Sequence, residues 1–164
     1  MSNAYLTRMP CGIAGDVSRK ELSKVEPRFM DSATPVTVYG VPVKLVTGKV
    51  YSFTTGDSAV VPYGFAVRPY PFQAAVSEAL AAGTPNPAQP LDVLRSGYMT
   101  VKNNAGTPAI GGAVYVRVVD SGLAAQPLGG IEAAADGGDC VAITGAIFMG
   151  SADADGNVEI SYNI

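Results

Sequence analysis

Glycine and proline decide what this chain can become. Nineteen Gly and twelve Pro are spread through its 164 residues, so a breaker interrupts nearly every stretch long enough to make a helix. The segments left between them are short and rich in Val, Ile, Thr and Tyr, and they read as strands closed off by turns. Charged residues make up only 15% of the chain against 48% hydrophobic. That balance suits a turn-rich β protein that hides surface against partners better than a solvated helical monomer. The length fits one ordinary domain, or a small domain carrying an extended arm.

The expected body begins near residue 36. Val36-Thr-Val-Tyr-Gly-Val-Pro-Val-Lys-Leu-Val46 is dense in β-branched residues and predicts a strand, or two with Pro42 at an edge or bend. Thr47-Gly48 ends it as a turn. Lys49–Thr55 and Tyr63–Arg68 alternate in the period of a half-buried strand. Gly97–Lys102 and Ala113–Val119 are expected to form a hairpin across a loose Asn103–Gly106 turn, with Val114, Val116 and Val118 on one face and Tyr115 and Arg117 on the other. Cys140–Thr144, Gly145–Gly150 and a closing strand over Val158–Ile164 complete the β content. Residues 72–82 predict one short helix, with Phe72, Val76 and Leu80 on one face and Gly83 as its stop. The Pro-rich connector 84–90 follows it as a stiff linker within the body 36–164.

Residues 1–35 differ. Pro10, Gly12, Gly15, Pro27 and Pro35 punctuate scattered charges and isolated apolar residues, so this stretch has no core of its own. It reads as an extended N-terminal arm, ordered where it lies on the body or on a neighbour.

Chemistry is hard to place. The chain has no His and no Trp, which removes the commonest general base and a frequent zinc ligand. No G-x-S-x-G elbow occurs, and Ser23-Lys24 and Ser77-Glu78 are sequence neighbours whose side chains point apart. Cys11-Gly-Ile-Ala-Gly15 lacks the preceding strand and the Gly-Lys-Ser/Thr of a phosphate cradle. Asp153-Ala-Asp155-Gly-Asn157 places oxygen ligands at alternate positions, but its Gly comes too early for an EF-hand loop and a strand follows, so a β-turn is expected there. Asp136-Gly-Gly-Asp139 reads the same way. No cofactor and no metal are therefore expected, and the chain is not expected to be an enzyme.

A net charge of −3 and a pI near 4.8 provide no basic footprint for nucleic acid. No apolar run reaches the length of a membrane span or of a secretory signal after Arg8. Cys11 and Cys140 could form a single disulfide, but free thiols are expected, as in an intracellular chain of this size.

The order of several segments carries a resemblance. Met9-Pro-Cys-Gly12-Ile-Ala-Gly15-Asp-Val-Ser-Arg19, then Val25-Glu-Pro27, Asp31-Ser-Ala-Thr-Pro35, Tyr39-Gly-Val-Pro42, Val67-Arg-Pro69 and Gly97-Tyr-Met-Thr-Val101 together resemble the head cement, or capsid decoration, proteins of tailed bacteriophages. The resemblance covers most of the first 102 residues, and the remainder only in style. It implies a non-enzymatic, jelly-roll-like or β-tulip-like sandwich, made in the host cytoplasm and carried on the virion. It also implies a homo-oligomer, dimer or trimer, that binds the major capsid protein on the outer capsid surface and staples neighbouring capsomers. The residues expected to touch the capsid are Met9, Pro10, Ile13, Val17, Arg19 and Arg28, with the two arginines facing acidic groups on the shell. A second reading is a glycan- or host-surface-binding β domain, calcium-assisted through Asp153, Asp155 and Asn157. A third, a His-free hydrolase, needs a pocket of convergent carboxylates.

Overall fold

The computed structural model describes residues 11–69 and 83–164. The helix expected over 72–82, and the contact candidates Met9 and Pro10, lie outside the described residues. The chain is mainly β. Its strands are β1 (Lys24–Phe29), β2 (Pro42–Val46), β3 (Lys49–Tyr51), β4 (Gly64–Ala66), β5 (Pro90–Ala105), β6 (Ala113–Arg117), β7 (Ile131–Glu132), β8 (Cys140–Phe148) and β9 (Asn157–Tyr162), with one 3₁₀ turn at Lys20–Leu22.

The sixteen-residue β5 is the spine. Its first half lies between β1 and β4, β4 pairs with β2, and β2 pairs with β3. A bridge between Met30 and Val50, with Asp31 N–H donating to Val50 O at 3.0 Å, then brings the ends of this sheet together. The second half of β5 pairs with β9 on one side and with β7 on the other, and the order β5-β7-β6-β8-β9-β5 closes a five-stranded barrel. A strand that serves two curled sheets must bend between them. Gly97 does so at φ +135°, where a Cβ would collide with Ser23 Oγ. The β2–β3 turn is of the mirror type that matches strand twist, with φ 49° at Thr47 and 83° at Gly48.

Each half has its own core. Met30, Val36, Tyr39, Val43, Val50, Ala66, Leu91 and Val93 fill the lobe built on the first half of β5. Met99, Val101, Val114, Val116, Val118, Ile131, Ile143, Phe148, Val158 and Ile160 belong to the larger barrel cluster, and Phe53, Phe65 and Leu94 join it from the lobe side. Phe65 meets Tyr162 edge-on at 5.1 Å, and the Tyr162 hydroxyl donates to Pro62 O at 3.0 Å. These contacts weld the two halves together.

The expected hairpin between residues 97–102 and 113–119 does not form. β5 takes β9 as its neighbour, and β7 inserts between β5 and β6. Long-range closure of the barrel wins over local pairing because it leaves β5 and β6 with no open edge there. The segments Cys140–Thr144 and Gly145–Gly150 join into one strand, β8, with Gly145 inside it at φ +81°.

Candidate interaction surface

Residues 11–30 lie along the body. Gly15 N–H donates to Thr100 O, Thr100 N–H to Asp16 O and Ser18 N–H to Tyr98 O, at 2.8–3.2 Å. The 3₁₀ turn steps the chain past the bend at Gly97, and β1 then continues along the first half of β5. Gly15, at φ +94°, is squeezed between Tyr39 and Arg68, and a Cβ there would stand 2.6 Å from Tyr39 Cβ. Gly40 is equally confined, 2.7 Å from Gly15 N by the same measure. Close approach to the body is thus the physical use of Gly15 in Cys11–Gly15.

The described contact candidates fall at distinct places. Ile13 lines a groove of about 680 Å³ with Val38, Tyr39, Lys102 and Asp155. Val17 lines another of about 420 Å³ with Lys20, Val25 and Asp92. Arg19 stacks 4.0 Å from the centroid of Tyr98 and grips both carboxylate oxygens of Glu159 at 3.2 and 2.8 Å. The hydrogen bond that the guanidinium donates to Glu159 raises its pKa above the ordinary value. Arg28 reaches Tyr63 Oη and Glu26, each at 3.1 Å, while the Tyr63 hydroxyl donates to Glu26 at 2.6 Å and Arg95 lies 3.6 Å over the Tyr63 ring. The Tyr63 hydrogen bond leads the causes that hold the Glu26 carboxyl below its usual range; desolvation opposes it, and Arg28 and Arg95 add to it. Both arginines therefore have acidic partners within their own chain, and both tie residues 15–29 to the body.

β1 sorts its side chains by face. Glu26 and Arg28 enter the cluster around Tyr63, whereas Val25, Pro27 and Phe29 alternate on the other face and stand exposed, Phe29 by 62%. The bridge from Met30 to Val50 places the β2–β3 hairpin next to this strand, and that hairpin exposes Leu45 and Val46. Exposed apolar side chains at period two give β1 one apolar face turned to solvent.

Nothing in the described residues assembles a catalytic constellation. No group of three or more His, Cys, Asp or Glu among them could hold a metal ion. Asp153 spends one carboxylate oxygen on the backbone N–H of Asp155 and Asn157, at 3.0 and 2.8 Å, and Gly156 sits at φ +83°. The geometry is that of an Asx-capped β-turn.

A polar cluster in the barrel wall has no precursor in the sequence reading. Arg117 faces away from Val116 and Val118, as the alternation predicts, yet it is 1% exposed. Its Nε and Nη2 donate to Glu132 at 2.6 and 3.1 Å, and Nη2 also donates to Asp136 at 2.8 Å. Cys140 Sγ–H donates to Glu132 Oε2 at 3.3 Å. Burial first, then the hydrogen bond to Glu132, pushes the Cys140 thiol up to about 11. Cys11 and Cys140 are both free.

A family model described as "XM1 gp53 minor capsid protein" matches residues 1–162. Among solved structures the chain is similar to one described as "The capsid of Myoviridae Phage XM1", at 19% identity and a TM-score of 0.67, covering 99% of this chain and 97% of that one. At that identity the likeness is one of fold. No curated protein matches.

Proposed function

The chain belongs to the XM1 gp53 minor capsid protein family, and from that premise we propose that it is a cement: a non-enzymatic protein that binds the outer capsid surface and stabilises contacts between capsomers. A structural role in a bacteriophage virion follows from the family itself. The outer location, the major capsid protein as partner, and a dimeric or trimeric state of the bound protein are the finer parts of the proposal.

The observation that carries it is the exposed apolar face of β1, where Val25, Pro27 and Phe29 alternate against a face already tied down by ion pairs. A rigid strand carrying an exposed aromatic is the kind of anchor that dominates protein interfaces. Residues 1–10, with Met9 and Pro10, are proposed to extend the contact, alongside Ile13 and Val17. Many such modest contacts, repeated over a symmetric shell and linked within an oligomer, supply by avidity what one copy lacks.

Co-sedimentation with expanded shells lacking the protein tests this. The full chain is expected to bind saturably, Phe29→Ser to weaken binding at least about tenfold, and a chain starting at Cys11 to bind with intermediate strength. Absence of saturable binding by the full chain to any such shell would overturn the cement reading.

A further inference from the structure

β7 is two residues long, and it alone closes the barrel between β5 and β6. Its flanks say little about where it belongs. Before it runs Ser121-Gly-Leu-Ala-Ala-Gln-Pro-Leu-Gly-Gly130 and after it Ala133-Ala-Ala-Asp-Gly-Gly138, so Ile131 is the only β-branched residue in the whole stretch. Register is normally specified by the apolar pattern of a strand. One isoleucine among alanines and glycines specifies it weakly.

We propose that the buried Arg117–Glu132 ion pair is the register lock of β7, fixing where the strand docks rather than adding net stability. Three strands meet at it: Arg117 on β6, Glu132 on β7 and Cys140 on β8, whose thiol donates to the same carboxylate. Both ionised side chains are 1% exposed and joined by two hydrogen bonds. Asp136 holds the same guanidinium from the next loop, so the return of the chain after β7 is fixed by the same cation. A slip of one residue would turn Glu132 toward the barrel interior, among Val114, Val116 and Val118, where it would lose its partner. In the observed register Glu132 stands opposite Tyr115, so Arg117 lies opposite Gly130 and reaches Glu132 diagonally. A slip of two that carried Glu132 farther from Arg117 would leave a buried, uncompensated charge, and the opposite slip would move Glu132 two positions out of the geometry in which it meets both Arg117 and Cys140. The correct register is the one in which neither happens. A buried ion pair contributes little net free energy because desolvation offsets its attraction, and buried polar groups are known to fix register in coiled coils.

The test separates location from energy. Glu132→Gln, which strands the Arg117 charge, is expected to lower Tm by roughly 10 °C. The double variant Arg117→Met, Glu132→Met is expected to melt within about 5 °C of the parent. In that double variant the amides that report β7 docking should exchange at least tenfold faster and show split or broadened resonances. These are Gly129 N–H to Arg117 O, Arg117 N–H to Gly130 O and Ala133 N–H to Ala105 O. The amides of Phe148 and Asn163, bonded to Gly112 and Gly145, should be unchanged. If Glu132→Gln does not fold, the double variant alone decides. A double variant with one sharp, parent-like set of protected amides across 129–133 would overturn the lock. So would one that melts as low as the single variant, since the pair would then be a source of stability.

Discussion

Cys140 and Cys11 show how much the surroundings of one side chain control. Cys140 is 7% exposed, and with its thiol pushed up to about 11 only on the order of one molecule in a thousand carries the reactive thiolate at pH 8. Cys11 is partly exposed. A thiol reagent at pH 8 should therefore modify one cysteine in the folded protein, identified as Cys11 by peptide mapping, and reach the second only after denaturation. Equal rates at both sites would contradict the buried geometry. Asp57 makes the corresponding case for acid. Burial on its own would raise its carboxyl pKa, but hydrogen bonds from Lys44 Nζ at 2.6 Å and from the Thr54 backbone and hydroxyl bring it below the usual value. A carboxylate depressed in the folded state contributes stability above its unfolded pKa, about 3.9, and loses it as the pH falls through the folded value. Tm should stay nearly level from pH 7 to about 5 and fall below about 4. Asp57→Asn should flatten part of that fall while lowering Tm at pH 7, which a thermal scan across pH would read directly.

At the scale of elements, β5 decides the architecture because it alone among the described strands belongs to both sheets. Its bend at Gly97 leaves no room for a side chain: φ is +135°, and Ser23 Cα and Cβ lie 2.7 Å from where a Cβ would sit. Gly97→Ala is expected to cost about 2 kcal/mol through strain alone, or roughly 4–8 °C in Tm for a chain of this size. A melting point within a degree of the parent would mean that the bend is softer than the packing implies. The same reasoning applies to β1, a strand that the sequence hides. Pro27 and the alternating charges of Lys24–Phe29 argue for an irregular arm. On the edge of β5 those features become assets, since Pro27 blunts a free edge and the charges pair with Tyr63 and Arg95. Starting the chain at Thr34 would strip this strand from β5 as well as the residues before it, so a shortened chain that keeps Cys11 onward is the fair test of an arm.

The whole molecule is two curled sheets sharing one strand, with an apolar face left over. Much of this was legible from the residues. Glycine and proline punctuation forbade a helical fold, β-branched runs located β4, β6, β8 and β9 to within a few residues, the run from Val36 overshot β2, which begins only at Pro42, and the ordered segments from Met9 to Val101 led to the correct family. The turn at Asp153 was also local chemistry, since an aspartate capping its own backbone needs only its next few neighbours. Other features were not written locally. β7 has too few side chains to announce itself, and the pairing of β5 with β9 joins residues about sixty positions apart, so only barrel closure could choose it over the nearer hairpin. Arg117 obeys the expected alternation, but its burial depends on Glu132, Asp136 and Cys140 arriving from other elements. Arg19 likewise looks like a free cation in one dimension and is satisfied in three by Glu159, while Arg28, beside Glu26 on its own strand, gains Tyr63 from the body only in the fold. Composition and turn chemistry, which act between near neighbours, determined that this chain is built of short strands; which strands meet, and which charges and apolar faces stay exposed, was decided by long-range packing.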